Sequence, residues 1–277
     1  MLLAVPSYRR ATNGQAQTLS EWPADGPPLT LFVREEEKVS YLELLERLGR
    51  SHWPIIVIPT DSGVCNISTT RNWILEWAMA HDEDAVVMID DDLHFISRSI
   101  PDDDVHLRPC GLDEIRALVS WLGEVLLDGN TTFAHAAVSM REGNNREPGK
   151  GAFATSTRGI RMVGYNLGVL KETKIRFRPE VDGREDLDMT LQLLRAGHPN
   201  IVTFHWAQGQ KVANAPGGLS EYRDVAHSDA SARKLAELHP DFVKLREKVN
   251  KSGGEFGVRL ETTIYWKKAL DSAKGAH

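Results

Sequence analysis

Three consecutive carboxylates, Asp90-Asp91-Asp92, follow directly on the apolar run Ala85-Val86-Val87-Met88-Ile89. Like charges crowded against the end of a buried strand repel one another and lose hydration, and a divalent cation removes that cost. Oxygen ligands of this kind suit Mg2+ or Mn2+, and a metal held there can bridge the two phosphates of a nucleoside diphosphate. Taken singly, the triplet is equally an acidic loop capping a strand end. A second acidic cluster, Glu185, Asp186 and Asp188, opens a helical pattern behind Gly183-Arg184. Unpaired backbone N–H groups and the helix dipole favour negative charge at such a place in any protein. A carboxylate aimed across a cleft is also what an acceptor hydroxyl needs as a general base.

Around these acids lie residues suited to an anionic ligand. Arg9, Arg71 and Lys211 are candidates to neutralise a diphosphate, and Gly217-Gly218 would let backbone N–H groups approach it closely. Each basic residue also reads as a solvated surface charge. Tyr8 is placed either to stack on a nucleotide base or to lie half buried beside the first strand.

The elements that must position these groups follow from hydrophobic periodicity. Leu2 to Pro6, Leu29 to Val33, Ile55 to Pro59 and Ala85 to Ile89 are short and almost unbroken apolar runs. That pattern suits parallel strands buried on both faces, alternating with helices. Tyr41, Leu44, Leu45 and Leu48 predict one helix, ended by Gly49. Ile74, Trp77, Ala78 and His81 predict another, capped by Ser68, Thr69 or Thr70, and Leu112 to Leu127 a third, stopped by Asp128-Gly129-Asn130. Phe133 to Met140 is expected to be a strand. Arg141 to Gly151 and the stretch from Asn214 to Arg223 are expected to be loops able to close over a cleft and exclude water. A helix through Leu187, Leu191 and Leu194 stops at Gly197, followed by a strand from Ile201 to Trp206. Ala230 to Val249 reads as helix interrupted at Pro240, and Val258 to Trp266 as a late strand. The division expected is residues 1–225 as one α/β domain, a mostly parallel sheet flanked by helices, and 226–277 as a helical extension packed on it.

In that frame, the segment from Gly63 to Asp92 resembles the GT-A glycosyltransferases. There a glycine, an Arg-Asn pair on a helix (here Arg71-Asn72) and an aliphatic strand lead into an Asp-x-Asp motif, matched by Asp90-Asp91-Asp92. Val5-Pro6-Ser7-Tyr8-Arg9 resembles the first strand and turn that hold the nucleotide base, and Gly183-Arg184-Glu185-Asp186 the acceptor-side acidic motif. The likeness covers roughly residues 2 to 206. More narrowly, the triplet, the Gly-Arg-Glu-Asp-Leu-Asp run and Gly217-Gly218 followed by Tyr222-Arg223 are similar to the TET-associated glycosyltransferases of bacteriophages.

The resemblance implies a nucleotide-diphosphate sugar as donor, Mn2+ or Mg2+ anchored by Asp90 and Asp92 directly or through water, and hydroxymethylated pyrimidine in DNA as acceptor. It also implies a further metal ligand from a C-terminal histidine, for which His205 is the candidate, although a lone histidine is as readily a satisfied core residue. Asp186 is the first choice of base if transfer inverts the anomeric centre, with Glu185 beside it; if transfer retains, the same group orients the acceptor. The rival enzyme reading is a metal-dependent nucleotidyltransferase, and the rival from another class is a non-catalytic nucleotide- or DNA-binding protein.

Composition bounds these readings. The chain has 277 residues, a net charge of −6 and 41% hydrophobic residues, enough to bury a large core, and its acidity argues against coating by nucleic acid. A local basic face remains open: Arg233, Lys234, Lys244, Arg246, Lys248, Lys251 and Lys267-Lys268 gather near the end, either to track DNA phosphates or as a solvated surface diluted by Glu237, Asp241 and Glu247. Cys65 and Cys110 are too few for a disulfide scaffold or a cysteine-ligated zinc site and read as reduced thiols. No apolar run approaches the ~20 residues of a membrane span, and Met1 to Val5 has no basic segment before it, so a cytoplasmic protein is expected.

Overall fold

Strands without polar alternation must be covered on both faces, and the sheet is built accordingly. The computed structural model describes residues 1–98, 107–129, 133–143, 151–210, 217–221, 224–249 and 258–274. In chain order the elements are β1 (Leu2–Pro6), α1 (Gln17–Glu21), β2 (Thr30–Arg34), α2 (Lys38–Arg47), β3 (Ile55–Ile58), α3 (Ile67–Ala80), β4 (Ala85–Ile89), β5 (Leu93–Arg98), β6 (Leu107–Pro109) and α4 (Leu112–Leu127). They continue with β7 (His135–Met140), β8 (Phe153–Thr155), β9 (Met162–Asn166), α5 (Leu167–Thr173), α6 (Glu185–Arg195), β10 (Asn200–Gln210), α7 (Val225–Leu238), β11 (Val243–Val249), β12 (Val258–Ile264) and α8 (Trp266–Lys274).

The result is a mixed α/β fold whose central sheet begins as four parallel strands, β3-β2-β1-β4, and continues through β9-β7-β10-β5-β6, with β8 added beside β10. Because successive side chains point to opposite faces, each run feeds two cores at once. Leu3, Val5, Leu31, Val33, Val87 and Ile89 meet α2 and α4 on one side. Leu2, Ala4, Phe32, Val86 and Met88 meet α3, α5 and α6 on the other. A third cluster joins the far side of α6 to α7, α8 and Phe242-Val243. No described helix is long and apolar enough to cross a membrane.

The four expected parallel strands and the helices α2, α3, α4 and α6 are present, and residues 144–150, 214–216 and 222–223 of the expected mobile loops lie outside the described residues. Two expectations are corrected. The cap of α3 is Asn66, not Ser68, Thr69 or Thr70: its side chain accepts from the Thr69 amide at 2.9 Å, and the Thr69 hydroxyl accepts from the Asn66 amide at 3.0 Å, a reciprocal box. After Pro240 the chain does not resume as helix. Val243, Lys244, Leu245, Arg246 and onward alternate with period two, and β11 pairs with β12 in an antiparallel hairpin between the two C-terminal helices.

One buried group makes stability depend on pH. His135 on β7 is fully buried and stacks on Tyr165, and among the described residues neither ring nitrogen has a hydrogen-bond partner. Burial, aided by His198, lowers its pKa to about 3. Below the ordinary histidine value the unfolded chain takes up a proton that the folded chain refuses, so stability falls with pH by about 1.4 kcal/mol per unit from this group, down to the folded value. Urea melts between pH 6.5 and 4.5 are expected to show this slope in the wild type and a shallower one in His135→Phe; equal slopes would remove the assignment.

Candidate functional site

Adjacent parallel strands end side by side, so the chain leaving β1 and the chain leaving β4 emerge together at one edge of the sheet. Pro6, Ser7 and Tyr8 leave β1 and Asp90-Asp91-Asp92 leave β4, and all six line a cleft of about 1010 Å³. Residue Arg161, just before antiparallel β9, arrives at the same edge, and its carbonyl accepts from the Asp90 amide at 2.9 Å. Thr18 of α1 fastens the triplet from behind: its hydroxyl donates to the Asp90 carbonyl at 2.6 Å and its amide to the Asp91 carbonyl at 2.9 Å.

Each aspartate has its own environment. Asp91 points into the protein, where the Ser7 hydroxyl donates to it and in turn meets the Tyr41 hydroxyl at 2.6 Å. Burial pushes its pKa up to about 7, against the pull of Arg10. Asp92 pairs with Arg10 at 2.7 Å and accepts from the Gln210 side-chain Nε2 at 2.9 Å. Asp90, the most open of the three, pairs with Arg71 at 2.9 Å, and its pKa too is raised by burial.

Arg71 organises the centre. It comes from the second turn of α3, is 3% exposed, and its guanidinium reaches Asp90, Glu185 at 3.1 Å and Asp186. Its charge is held firmly because the three carboxylates outweigh the desolvation that would lower its pKa. Its neighbour Asn72 faces the Phe177 backbone, donating to the carbonyl at 2.7 Å and accepting from the amide at 2.9 Å, which fixes the loop before α6. Asp186 also accepts from the Arg161 amide at 3.1 Å, so both of its oxygens are committed. Burial raises the pKa of Glu185 above the usual carboxylate range, opposed by Arg71.

The structure therefore gathers Pro6, Ser7, Tyr8, Arg71, Asp90, Asp91, Asp92, Glu185, Asp186 and Gly218 around one cleft. Other sequence candidates fall elsewhere. Arg9 is exposed, pairs with Glu221 at 3.1 Å and lies over the Tyr8 ring. Gly217 packs against the β1 turn, where its φ of 97° and a carbonyl 2.8 Å from a notional Cβ leave no room for a side chain, and Gly218 donates to the Tyr8 carbonyl at 2.8 Å. His205 is not among the residues lining the cleft: it lies where the register of β10 against β7 shifts, between Thr203 and Ala207, and packs on Trp206. Burial and Arg98 lower its pKa. Lys211 lies outside the described residues. Arg71, expected to neutralise a diphosphate, is instead committed to carboxylates. Arg10, Arg161, Thr18 and Gln210 were not singled out from sequence; only adjacency of Arg10 to the Pro6-Ser7-Tyr8-Arg9 turn hinted at its place.

Residues 1–218 match the family described as TET-Associated Glycosyltransferase. The chain belongs to that family. No curated protein matches it. Solved structures resemble it in fold: S. aureus TarS 1–349 in complex with UDP-GlcNAc, with TM-score 0.50 and 12% identity over 86% of this chain and 66% of that one. Glucosyl-3-phosphoglycerate synthase from Mycobacterium tuberculosis, in complex with Mn2+, UDP-glucose and phosphoglyceric acid, gives TM-score 0.47 and 13% identity over 88% of this chain and 82% of that one. This chain spans about two thirds of the TarS 1–349 chain and 40% of a longer TarS chain. The GT-A-like architecture expected from the motifs is the one this TET-associated glycosyltransferase has.

Among the described residues, no group of three or more His, Cys, Asp or Glu stands ready-arranged around a metal position. The chemistry of the site nonetheless suits a hard divalent ion. Five carboxylates meet at the cleft floor, Arg10 and Arg71 are ion-paired with them, and the negative charge left over raises the pKa of Asp90 and Asp91 on top of burial.

Removing the central cation leaves buried carboxylates uncompensated. Arg71→Met is expected to cost about 3–5 kcal/mol of stability, measured by chemical denaturation, and a loss below about 1 kcal/mol would contradict the burial of its charge.

Proposed function

We propose that this TET-associated glycosyltransferase transfers a sugar from a nucleoside diphosphate to the hydroxymethyl group of a modified pyrimidine in DNA. The observation that carries this reading is the meeting, in one cleft, of a nucleotide-side turn bonded to Asp91 through Ser7, the acidic triplet, and an acceptor-side carboxylate pair joined to Asp90 by Arg71. The family match supports sugar transfer and, by its association with TET chemistry, a modified DNA base. The UDP-GlcNAc complex of the TarS relative supports a nucleotide sugar as donor. A cytoplasmic setting would supply both substrates.

The donor nucleotide lies across the ends of β1 to β4, with Tyr8 beside the base. Asp90 and Asp92 would hold Mn2+ or Mg2+, which when bound neutralises the charge that develops on the departing diphosphate. Arg161 and Arg158, which line the cleft and are not ion-paired to the triplet, are the side chains suited to the phosphates. In a direct displacement the acceptor oxygen bonds to the anomeric carbon as the bond to the phosphate oxygen breaks, and the hydroxyl proton needs a base. Glu185 is better suited than Asp186: the oxygens of Asp186 are both taken, whereas Arg71 engages Oε1 of Glu185. Its raised pKa brings it toward neutrality, where a base is most effective. Asp186 then acts by holding Arg71 and Arg161 in place.

Incubation with Mn2+, a panel of nucleotide sugars and DNA containing hydroxymethylcytosine, followed by nucleoside mass spectrometry, is expected to show a hexose- or pentose-sized gain on that base, with nucleoside diphosphate and no pyrophosphate released. Asp92→Asn is expected to lower turnover by about 100-fold or more. Near-normal turnover in that variant, or pyrophosphate as product, would refute the reading.

A further inference from the structure

The C-terminal hairpin has two unlike faces. Side chains directly opposite each other on an antiparallel pair share a face, and the register sets Lys244 against Thr263, Arg246 against Glu261 and Lys248 against Arg259. The other face carries Val243 and Ile264, which pack into the cluster with α6, α7 and α8, and Leu260, which is also buried. The first face is turned outward: Lys244, Arg246 and Lys248 are exposed, and Arg259 is partly so. Four cations therefore stand there against the carboxylate of Glu261, which pairs with Lys248 at 2.6 Å and Arg259 at 3.4 Å. The chain as a whole carries a net charge of −6, so this face is opposite in sign to the molecule that bears it.

Its position is as informative as its charge. Arg259 and Glu261 line the same cleft as the acidic triplet. The hairpin is fixed to the acceptor side of that cleft, because Arg184, which immediately precedes Glu185, donates to the Leu260 carbonyl at 3.2 Å, and Asp229 of α7 accepts from the Leu260 amide at 2.8 Å. The cleft floor, with its surplus of carboxylates, repels a polyanion. With the floor's own cations facing the donor, an acceptor base carried on a phosphate backbone is best served by a rim of positive charge that holds its phosphates outside the cleft.

We infer that the outward face of the β11–β12 hairpin, through Lys244, Arg246, Lys248 and Arg259, is the surface on which the phosphate backbone of the DNA acceptor docks. This rests on the DNA acceptor proposed above. Phosphate contacts fix position and supply salt-dependent affinity without reading sequence, so the hairpin sets where the modified base enters and leaves its recognition to the cleft.

The test compares the wild-type full chain with Lys244→Gln/Arg246→Gln/Lys248→Gln, three exposed positions that do not line the cleft. Fluorescence anisotropy with labelled single- and double-stranded oligonucleotides, over a series of salt concentrations, is expected to show about ten-fold or more weaker binding by the variant. The dependence of log K on log salt is expected to fall by about one per side chain removed. Lys244→Arg/Lys248→Arg retains wild-type binding, and hydrolysis of the sugar nucleotide without acceptor is unchanged in every variant. Unchanged affinity and salt slope in the triple variant, absence of DNA binding by the wild type, or binding to anionic vesicles in place of DNA would overturn the inference. Sugar transfer is scored separately: a wild type that glycosylates DNA with the triple variant its equal removes the docking surface and leaves the function standing, whereas hairpin-dependent binding without transfer does the reverse.

Discussion

One buried guanidinium holds the two halves of the site together. Arg71 reaches Asp90, Glu185 and Asp186 from a helix that belongs to neither acidic segment. A charge taken out of water is tolerated only when partnered, and the same holds for each carboxylate, so none of the four groups has a stable buried state alone. The chain from Asp90 and the chain from Glu185 are thereby obliged to meet at the end of α3, although about a hundred residues separate them in sequence. Asn72, fixing the Phe177 backbone, directs the segment that delivers α6 to this point.

Around that centre the sheet provides rigidity and the remaining contacts provide aim. The β1 turn is held to the triplet through Ser7, Tyr41 and Arg10, and Gly217-Gly218 closes over the turn from outside. The C-terminal segment is part of the same construction. Its hairpin and helices cover the outer side of α6, burying Leu191, Leu194, Leu235, Phe242 and Ala269 together. Within this contact Asp188, fully buried, accepts from Gln192 at 2.7 Å and meets His239 at 2.7 Å and Arg178 at 3.1 Å. Of the three acids that open α6, Glu185 and Asp186 face the cleft, while Asp188, two positions and about 200° around the helix from Asp186, anchors the C-terminal segment through His239.

The sequence by itself determined the strands β1 to β4, the helices α2, α3, α4 and α6, and the acidic triplet at a strand end, because each depends on periodicity or on residues adjacent in the chain. It also supplied the Arg71-Asn72 pair and the Glu185-Asp186 pair as motifs. What it could not determine was how they join. The choice of carboxylates over diphosphate as partners of Arg71, the arrival of Arg10 between Asp91 and Asp92, and the absence of His205 from the cleft lining are decided by which strands neighbour each other and in what register. The hairpin after Pro240 was visible as alternation in Val243 to Val249, but a short charged strand is stable only with its partner, and β12 lies beyond a connection whose pairing no local pattern fixes. Local chemistry thus named the charged groups, and long-range burial, which forbids an unpaired charge, assigned each its partner.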